Sequence, residues 1–315
     1  MAGIATHAMQ VSEWIRPYPP AEDAHRERKL AAAHAFCARL GRLAVRSLYD
    51  ELTLYPKPGL VSLVDNGSHR DMNAETFMRS LFALRHYFIR IAKAGADGAA
   101  FTELRQLGID AEQKMLHATR GINTHRGAIF CLGLLCAAAG YCHAHRIRLS
   151  PQALRAVLLM EWGQALTIHA RATDGSSHGL QVAARHAASG AREEAALGLP
   201  SVFEVALPAL QSTLETRACW ERARIDALFA LMAYVSDTNV YYRGGTTGAA
   251  MVRSMAQEFL VRGGTAHAQW KTYALECHRQ FISRKLSPGG AADLLAAACL
   301  VHRLTYRLGG TIAAA

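Results

Sequence analysis

From Gly127 to Cys142 the chain carries no charged side chain, so its fold must bury this segment or place it in a membrane. A membrane-spanning helix needs about 20 apolar residues, and this stretch is too short to cross comfortably. A core helix covered on all sides by other elements is the better reading. Such a cover needs a large domain, and 315 residues are enough for one large domain or two ordinary ones. With 51% hydrophobic and 19% charged residues, a sizeable core is available and global disorder is excluded. Plentiful alanine and only 8% aromatics favour helices over strands.

The rest of the pattern agrees. Residues 1–21, ending in Pro17-Tyr18-Pro19-Pro20, read as an irregular leader with no apolar core or cleavage site of a secretory signal. A helix starts near Asp23, where Phe36, Leu40, Leu43 and Ser47 recur at helical spacing. Pro56-Lys57-Pro58-Gly59 stops it, and Val64 to Asp71 is polar loop. Asn73 is placed to cap a helix bearing Phe77, Leu81, Leu84, Phe88 and Ile91 on one stripe. Further helices are expected at about 99–118, 127–145, 151–171, 178–190, 201–215, 222–236, 247–262, 266–283 and 290–307. No run alternates with period two. The expectation is an all-α protein: a single multi-helix domain over residues 22–315, with polar loops at its helix ends. The Gly127 helix could pack inside that domain or at a homodimer interface, and burial inside is expected.

A net charge of +10 suits a polyanionic partner, whether nucleic acid, an acidic membrane or a small molecule with several phosphates. The basic residues are scattered over many segments, which argues against a nucleic-acid module. The seven cysteines are scattered and include no Cys-x-x-Cys pair, so buried free thiols in a reducing compartment are expected. The sequence therefore points to a soluble, cytoplasmic protein.

Polar residues cluster where apolar helices meet. Glu51, Lys57, Asp65, His69 and Asp71 could hold phosphate and Mg²⁺, or form an ordinary solvated loop. Glu112 with Asn123-Thr124-His125-Arg126 precedes the apolar helix, where free N–H groups favour an anion. Capping residues, or a core histidine with satisfied hydrogen bonds, would look the same. Asp174 to Gly179 is a third polar turn, matched by Asp237-Thr238-Asn239 and Arg243-Gly244-Gly245. These could supply a metal ligand and a phosphate-binding backbone, though no P-loop is present. In Ser287-Pro288-Gly289-Gly290-Ala291-Ala292-Asp293 the amides could cradle phosphate, while Asp293 in the first turn is by default a complement to the helix dipole. Gly-x-Ser-x-Gly and His-Glu-x-x-His motifs are absent, and Cys142-His143-Ala144-His145 lacks the partners of a zinc site.

The strings Pro56-Lys57-Pro58-Gly59-Leu60-Val61 and Gly67-Ser68-His69-Arg70-Asp71-Met72, with Thr76, Phe77 and Ser80, resemble the triphosphoribosyl-dephospho-coenzyme A synthase family. So do Gly121 to Phe130, Ser177-His178-Gly179, Asp237-Thr238-Asn239 and Ser287 to Leu295, which occur in the family's order. Gly59-Leu60-Val61-Ser62-Leu63-Val64-Asp65 departs from the Gly-Leu-Val-Asp of the citrate lyase branch and looks like the malonate decarboxylase branch.

The resemblance implies a transferase. The 2′-hydroxyl of 3′-dephospho-CoA would attack the anomeric carbon of ATP and adenine would depart, leaving the triphosphate on the sugar. The product would pass to a transferase acting on an acyl carrier protein. As in glycoside chemistry, the transition state would have oxocarbenium character. Within that reading Glu51 or Glu112 is the candidate general base, and Asn123 and His125 orient ribose or adenine. Lys57, His69, Arg243 and the amides of Gly289 and Gly290 hold phosphates, while Asp71, Asp237 and Asn239 position Mg²⁺. Competing readings are the same synthase serving citrate lyase, a Mg²⁺-dependent nucleotide or ADP-ribose hydrolase on a helical scaffold, and a helical regulator that binds a nucleotide or carrier protein without chemistry.

Overall fold

A computed structural model describes residues 21–171 and 190–306, with side chains from residue 27 onward. The leader before residue 21, the helix expected at 178–190 and the Asp174–Gly179 turn lie outside the described residues. Every regular element described is helical, and no strand occurs among the described residues.

The helices are α1 (Ala21–Leu52), α2 (Ala74–Ala96), α3 (Phe101–Ala118), α4 (Arg126–Ala144), α5 (Pro151–Arg171) and α6 (Ala191–Ala196). A π-helical turn, Ser201–Ala206, leads into α7 (Leu207–Arg217), followed by α8 (Trp220–Tyr234) and α9 (Thr238–Val261). A short 3-10 turn then precedes α10 (Trp270–Ser283) and α11 (Gly289–Tyr306). Contacts divide the chain at Phe36: the first unit contains the opening turns of α1, and the second runs from Cys37 onward.

Within the second unit, α4 is the central element. It is long and apolar enough to cross a bilayer, yet most of it is buried inside the protein, as a core helix should be. It packs against α2, α3, α5 and α11. Small residues bring α2 and α4 into backbone contact: a Cβ on Gly140 would stand 2.0 Å from the Ala92 carbonyl oxygen. Tyr87 donates to the Ile129 carbonyl across the same seam, at 2.9 Å. Buried Asp50 is paired with Arg303, tying α1 to α11.

Two boundaries differ from expectation. Asp237-Thr238-Asn239 reads as loop but opens α9, because Asp237 caps the helix by accepting from the Asn239 N–H. Gly245, with φ of 59°, kinks that helix rather than ending it. The 201–215 segment is two elements, a π-helical turn and α7. Asn73 caps α2 as its position predicts, within a capping box completed by Thr76.

Candidate active site

The chain leaves α1 and turns through a cis Tyr55–Pro56 peptide, which brings Lys57 back beneath the helix end. Its ammonium donates to the Glu51 carboxylate at 2.5 Å and to the Glu51 carbonyl at 3.0 Å. That carbonyl lies in the last helical turn, where acceptors lack intrahelical partners. Lys57 is 1% exposed and Glu51 4%. Burial pulls the Lys57 pKa down, and the neighbouring Glu51 carboxylate opposes it.

Two contacts hold the next turn in place. Gly59 has φ of 69°, and a Cβ there would stand 2.2 Å from the Leu286 carbonyl oxygen, so glycine is required on both counts. His278 Nδ1 lies between the Gly59 N–H at 3.2 Å and the Lys57 carbonyl oxygen at 3.1 Å, and its Nε2 reaches Asp65 at 3.0 Å. Asp65, one of the acids in the first polar cluster, is therefore the partner of a histidine that sequence reasoning missed.

His125 immediately precedes α4 and is buried. Its Nδ1 lies 2.6 Å from Ser80 Oγ of α2, and Phe77 meets the ring edge-on. Nε2 has no hydrogen-bond partner among the described residues. Burial, reinforced by the positive charge of Lys57, lowers its pKa to about 3, so the imidazole is neutral at physiological pH. The electrostatic link between His125 and Lys57 joins the end of α1 to the entrance of α4.

Two aspartates bind the helix entrances together. Asp237 Oδ1 accepts from the Asn239 N–H at 2.9 Å, and Oδ2 from the Ala291 N–H at 3.1 Å, so one carboxylate caps both α9 and α11. Burial raises its pKa, and the backbone N–H groups of Ala291, Asn239, Gly290 and Val240 pull the other way. Asp293, in the first turn of α11, reaches α4 instead of solvent. It accepts from the Ala128 N–H, and a Cβ on Gly127 would stand 2.2 Å from its Oδ2. Burial, then the Glu51 and Asp237 carboxylates, hold the Asp293 carboxyl well above the ordinary range.

The expected phosphate-binding amides are already engaged. Gly289 N–H bonds the Ser287 carbonyl at 2.9 Å, and Gly290 N–H is directed to Asp237. What these glycines supply is space: a Cβ on Gly289 would stand 3.0 Å from Asn239 Nδ2, and one on Gly290 3.0 Å from Asp237 Oδ2. A hydrogen-bonded polar cluster lies beside them. His69 Nε2 is 2.8 Å from Ser287 Oγ, and His69 Nδ1 faces Arg243 at 3.1 Å and Asp71 at 3.6 Å. Burial and the Arg243 charge lower the His69 pKa, against Asp71. Arg243 also reaches the carbonyls of Ser68 and Lys285, fastening the 65–71 loop to the approach of α11.

Glu112 is paired with Arg126 through a 2.6 Å bond, and Asn123 accepts from the Arg126 N–H at 3.1 Å. The structure thus places Glu51, Lys57, His125, Asp237 and Asp293 around four helix ends, those of α1, α4, α9 and α11, with His69, Arg243 and Asp71 on the adjoining loop. Glu112 and Asn123 meet at the α3–α4 turn. Among the described residues no three His, Cys, Asp or Glu side chains form a metal-ligand group. Sequence reasoning picked out Ser80 but not its bond to His125, and it missed the role of Asp293. The signal for Asp293 was its place beside two glycines in the Ser-Pro-Gly-Gly string.

This arrangement combines carboxylates in unlike environments, a neutral histidine and cationic groups at a surface loop, a set suited to moving protons beside a phosphorylated substrate. Known proteins are similar to this chain over most of its length. A protein of Acinetobacter calcoaceticus named "Probable 2-(5''-triphosphoribosyl)-3'-dephosphocoenzyme-A synthase" is 40% identical over 257 residues, 82% of this chain and 88% of that one. Proteins of the same name from Vibrio cholerae and Pseudomonas fluorescens are 37% and 41% identical, each over 84% of this chain and over 88% and 91% of their own lengths. No solved structure matches the chain. The family model for ATP:dephospho-CoA triphosphoribosyl transferase matches residues 37–311. With the match running from the middle of α1 past the end of α11, the chain belongs to the ATP:dephospho-CoA triphosphoribosyl transferase family, whose substrates are ATP and dephospho-CoA.

Proposed function

We propose that the protein joins the triphosphoribosyl group of ATP to the 2′-hydroxyl of 3′-dephospho-CoA, with Mg²⁺, to make the prosthetic-group precursor of the malonate decarboxylase acyl carrier protein. The bond from the ribose anomeric carbon to adenine N9 breaks as a bond to the acceptor oxygen forms. The hydroxyl proton passes to a carboxylate, and adenine leaves with a proton of its own. Direct displacement inverts the anomeric carbon and needs no covalent enzyme intermediate.

The observation that carries this reading is the unlike pair of acids at one helix junction. Glu51 is ion-paired with Lys57, while burial, and then the neighbouring carboxylates, favour the protonated form of Asp293. One acid is suited to accept a proton, and the other to deliver one to the departing adenine. Neutral His125, with its free Nε2, and Asn123 orient the base or ribose. Lys57 adds positive potential from beneath, and His69 and Arg243 offer cationic and hydrogen-bonding groups to the triphosphate. Glu112 is the alternative base, though its carboxylate is held by Arg126.

Mg²⁺ typically takes one or two carboxylates and leaves its other positions to phosphate oxygens and water. The donors fit an ion that arrives with the nucleotide: exposed Asn239 and Asp71, and Asp237, whose oxygens still have lone pairs beyond their backbone bonds. When bound it would neutralise triphosphate charge. The malonate decarboxylase branch is supported by the Gly59–Asp65 string, in which Ser62 accepts from the N–H groups of Val64 and Asp65.

The test is chromatography with mass detection on protein, ATP, Mg²⁺ and dephospho-CoA, with CoA as control acceptor. Free adenine and a triphosphoribosylated product, both dependent on dephospho-CoA, are expected. Adenine released without acceptor would replace this reading with a hydrolase. Loss of malonate decarboxylase activity, and not citrate lyase activity, on deleting the coding sequence would support the branch.

A further inference from the structure

His125 is buried at the entrance of α4, and its Nε2 has no hydrogen-bond partner among the described residues. The rest of the residue is held firmly. Its backbone N–H donates to Met115 Sδ at 3.3 Å, and its carbonyl accepts from the Ile129 N–H at 2.7 Å. Ser80 Oγ lies 2.6 Å from Nδ1, and the Phe77 ring meets the imidazole edge-on with centroids 5.0 Å apart. An unmade buried hydrogen bond costs about 1–3 kcal/mol, so one polar atom left open on a fixed ring points to a ligand that fills it.

Ser80 determines which proton the neutral ring carries. A helical hydroxyl commonly turns back to the carbonyl four residues earlier, as Ser47 does to Leu43 and Thr119 to Met115. Ser80 Oγ does not, and His125 Nδ1 is its one partner among the described residues. If the hydroxyl donates to Nδ1, the ring proton lies on Nε2 and only that N–H is open. If Nδ1 donates instead, both the Ser80 hydroxyl proton and the Nε2 lone pair are open. The first arrangement costs less. No donor waits for an Nε2 lone pair: the Lys57 ammonium, whose charge reaches the ring, donates to the Glu51 carboxylate and carbonyl.

A fixed N–H beside a buried ammonium suits negative charge that develops during reaction. Adenine develops such charge. As the bond from the ribose anomeric carbon to N9 breaks, its electron pair passes into the purine and spreads over N3 and N7, both in-plane acceptors. The chain around His125 is open enough to admit a base: Asn123 is exposed, Thr124 and Gly127 are half-buried, and Thr124 Oγ1 is a second buried atom without a partner. Asp293 accepts from the Ala128 N–H, so the acid and the histidine flank the same first turn of α4.

We propose that His125 is a catalytic residue whose Nε2–H donates a hydrogen bond to a ring nitrogen, N3 or N7, of the departing adenine, and that Ser80 is the positioning residue that keeps the proton on Nε2. The histidine retains its proton throughout. The proton that makes neutral adenine comes from Asp293, and the acceptor hydroxyl gives its proton to the carboxylate base. This inference rests on the transferase reading and fixes one role for His125 within it.

Ring-nitrogen NMR of the full chain, with isotope-labelled histidine, reads the tautomer without turnover, and His125→Gln identifies the signals. A protonated Nε2 and an unprotonated Nδ1 are expected at neutral pH; the reverse would overturn the proposal. Ser80→Ala should populate the other tautomer and lower kcat while KM for dephospho-CoA holds, and an unmoved tautomer would remove Ser80 from its role. Calorimetric titration without acceptor then compares ATP with 3-deaza-ATP and 7-deaza-ATP. One analogue should bind the unaltered protein about tenfold more weakly than ATP, and that penalty should vanish in His125→Asn. In turnover, His125→Asn should lose about a hundredfold in kcat, and His125→Gln, whose amide N–H can take the Nε2 position, should lose less. An analogue penalty that survives His125→Asn, or equal losses in the two variants, would sink the assignment. If the unaltered protein released no adenine, the transferase reading would fall, and the NMR and titrations would still decide what His125 donates to.

Discussion

The Lys57 ammonium lies 2.5 Å from the Glu51 carboxylate, and both groups are buried at the end of α1. Removing one partner of a buried pair strands a charge in the interior, at a cost of about 3–5 kcal/mol. Lys57→Met and Glu51→Gln should each lower the denaturation midpoint strongly. Joining them as Glu51→Gln/Lys57→Met should recover much of that stability but no activity. Denaturant unfolding alongside adenine release checks both halves, and recovered turnover in the double variant would make the pair purely structural.

Gly127 sits where any side chain would collide with Asp293, since a Cβ there would be 2.2 Å from Oδ2. Alanine is favoured over glycine in a helix by about 1 kcal/mol, so on propensity alone Gly127→Ala should be harmless. The expectation is instead a loss of activity of about a hundredfold or more, as the Asp293 carboxyl is displaced. Because both changes act on one group, Gly127→Ala and Asp293→Ala should not be additive. Additive losses in kcat would separate Gly127 from Asp293.

Neutral His125 gives stability a pH dependence with a definite sign. Its folded-state pKa of about 3 lies below the ordinary 6.5, so as acid is added the unfolded chain takes up this proton first. The stability contributed by the neutral ring is fully present above 6.5 and drains as pH falls toward 3, by on the order of 5 kcal/mol in all. His69, also lowered, acts in the same direction, while the raised carboxyls of Asp237 and Asp293 oppose it by favouring the folded state as they protonate. Comparing unfolding free energy against pH for the unaltered protein and His125→Asn isolates the one group. The variant should lose about one proton of slope across that window, and parallel curves would show that His125 does not titrate as its burial requires.

The helical fold was readable from the apolar Gly127–Cys142 run and from periodicity, and Pro151–Arg171 agrees with expectation at both ends. Asp237 shows what local reasoning could not reach. A polar triplet after an apolar helix resembles a loop, and only the Ala291 N–H from a distant helix reveals that its carboxylate caps two helices. Lys57 was legible as a polar residue in a proline-rich turn, but not as one buried against Glu51, because that depends on how the turn folds back. Asp293 was assigned to the dipole of its own helix, whereas it answers the N-terminus of α4. In each case the residue was visible, and what was hidden was a partner supplied by another part of the chain.

Asp71 and Asp237 separate a metal role from a structural one. The Asp71 side chain is 60% exposed, so Asp71→Asn should leave the denaturation midpoint unchanged. Asp237→Asn keeps one carbonyl oxygen and loses an acceptor for a helix N-terminus, which costs about 1–2 kcal/mol. If both groups help place Mg²⁺ on the triphosphate, each variant should also need more Mg²⁺ for half-maximal adenine release, at fixed ATP. Asp237→Asn should then show both effects and Asp71→Asn only the second. A Mg²⁺ titration that superimposes on that of the unaltered enzyme for both variants would remove them from the metal site and leave Asp237 as a double helix cap.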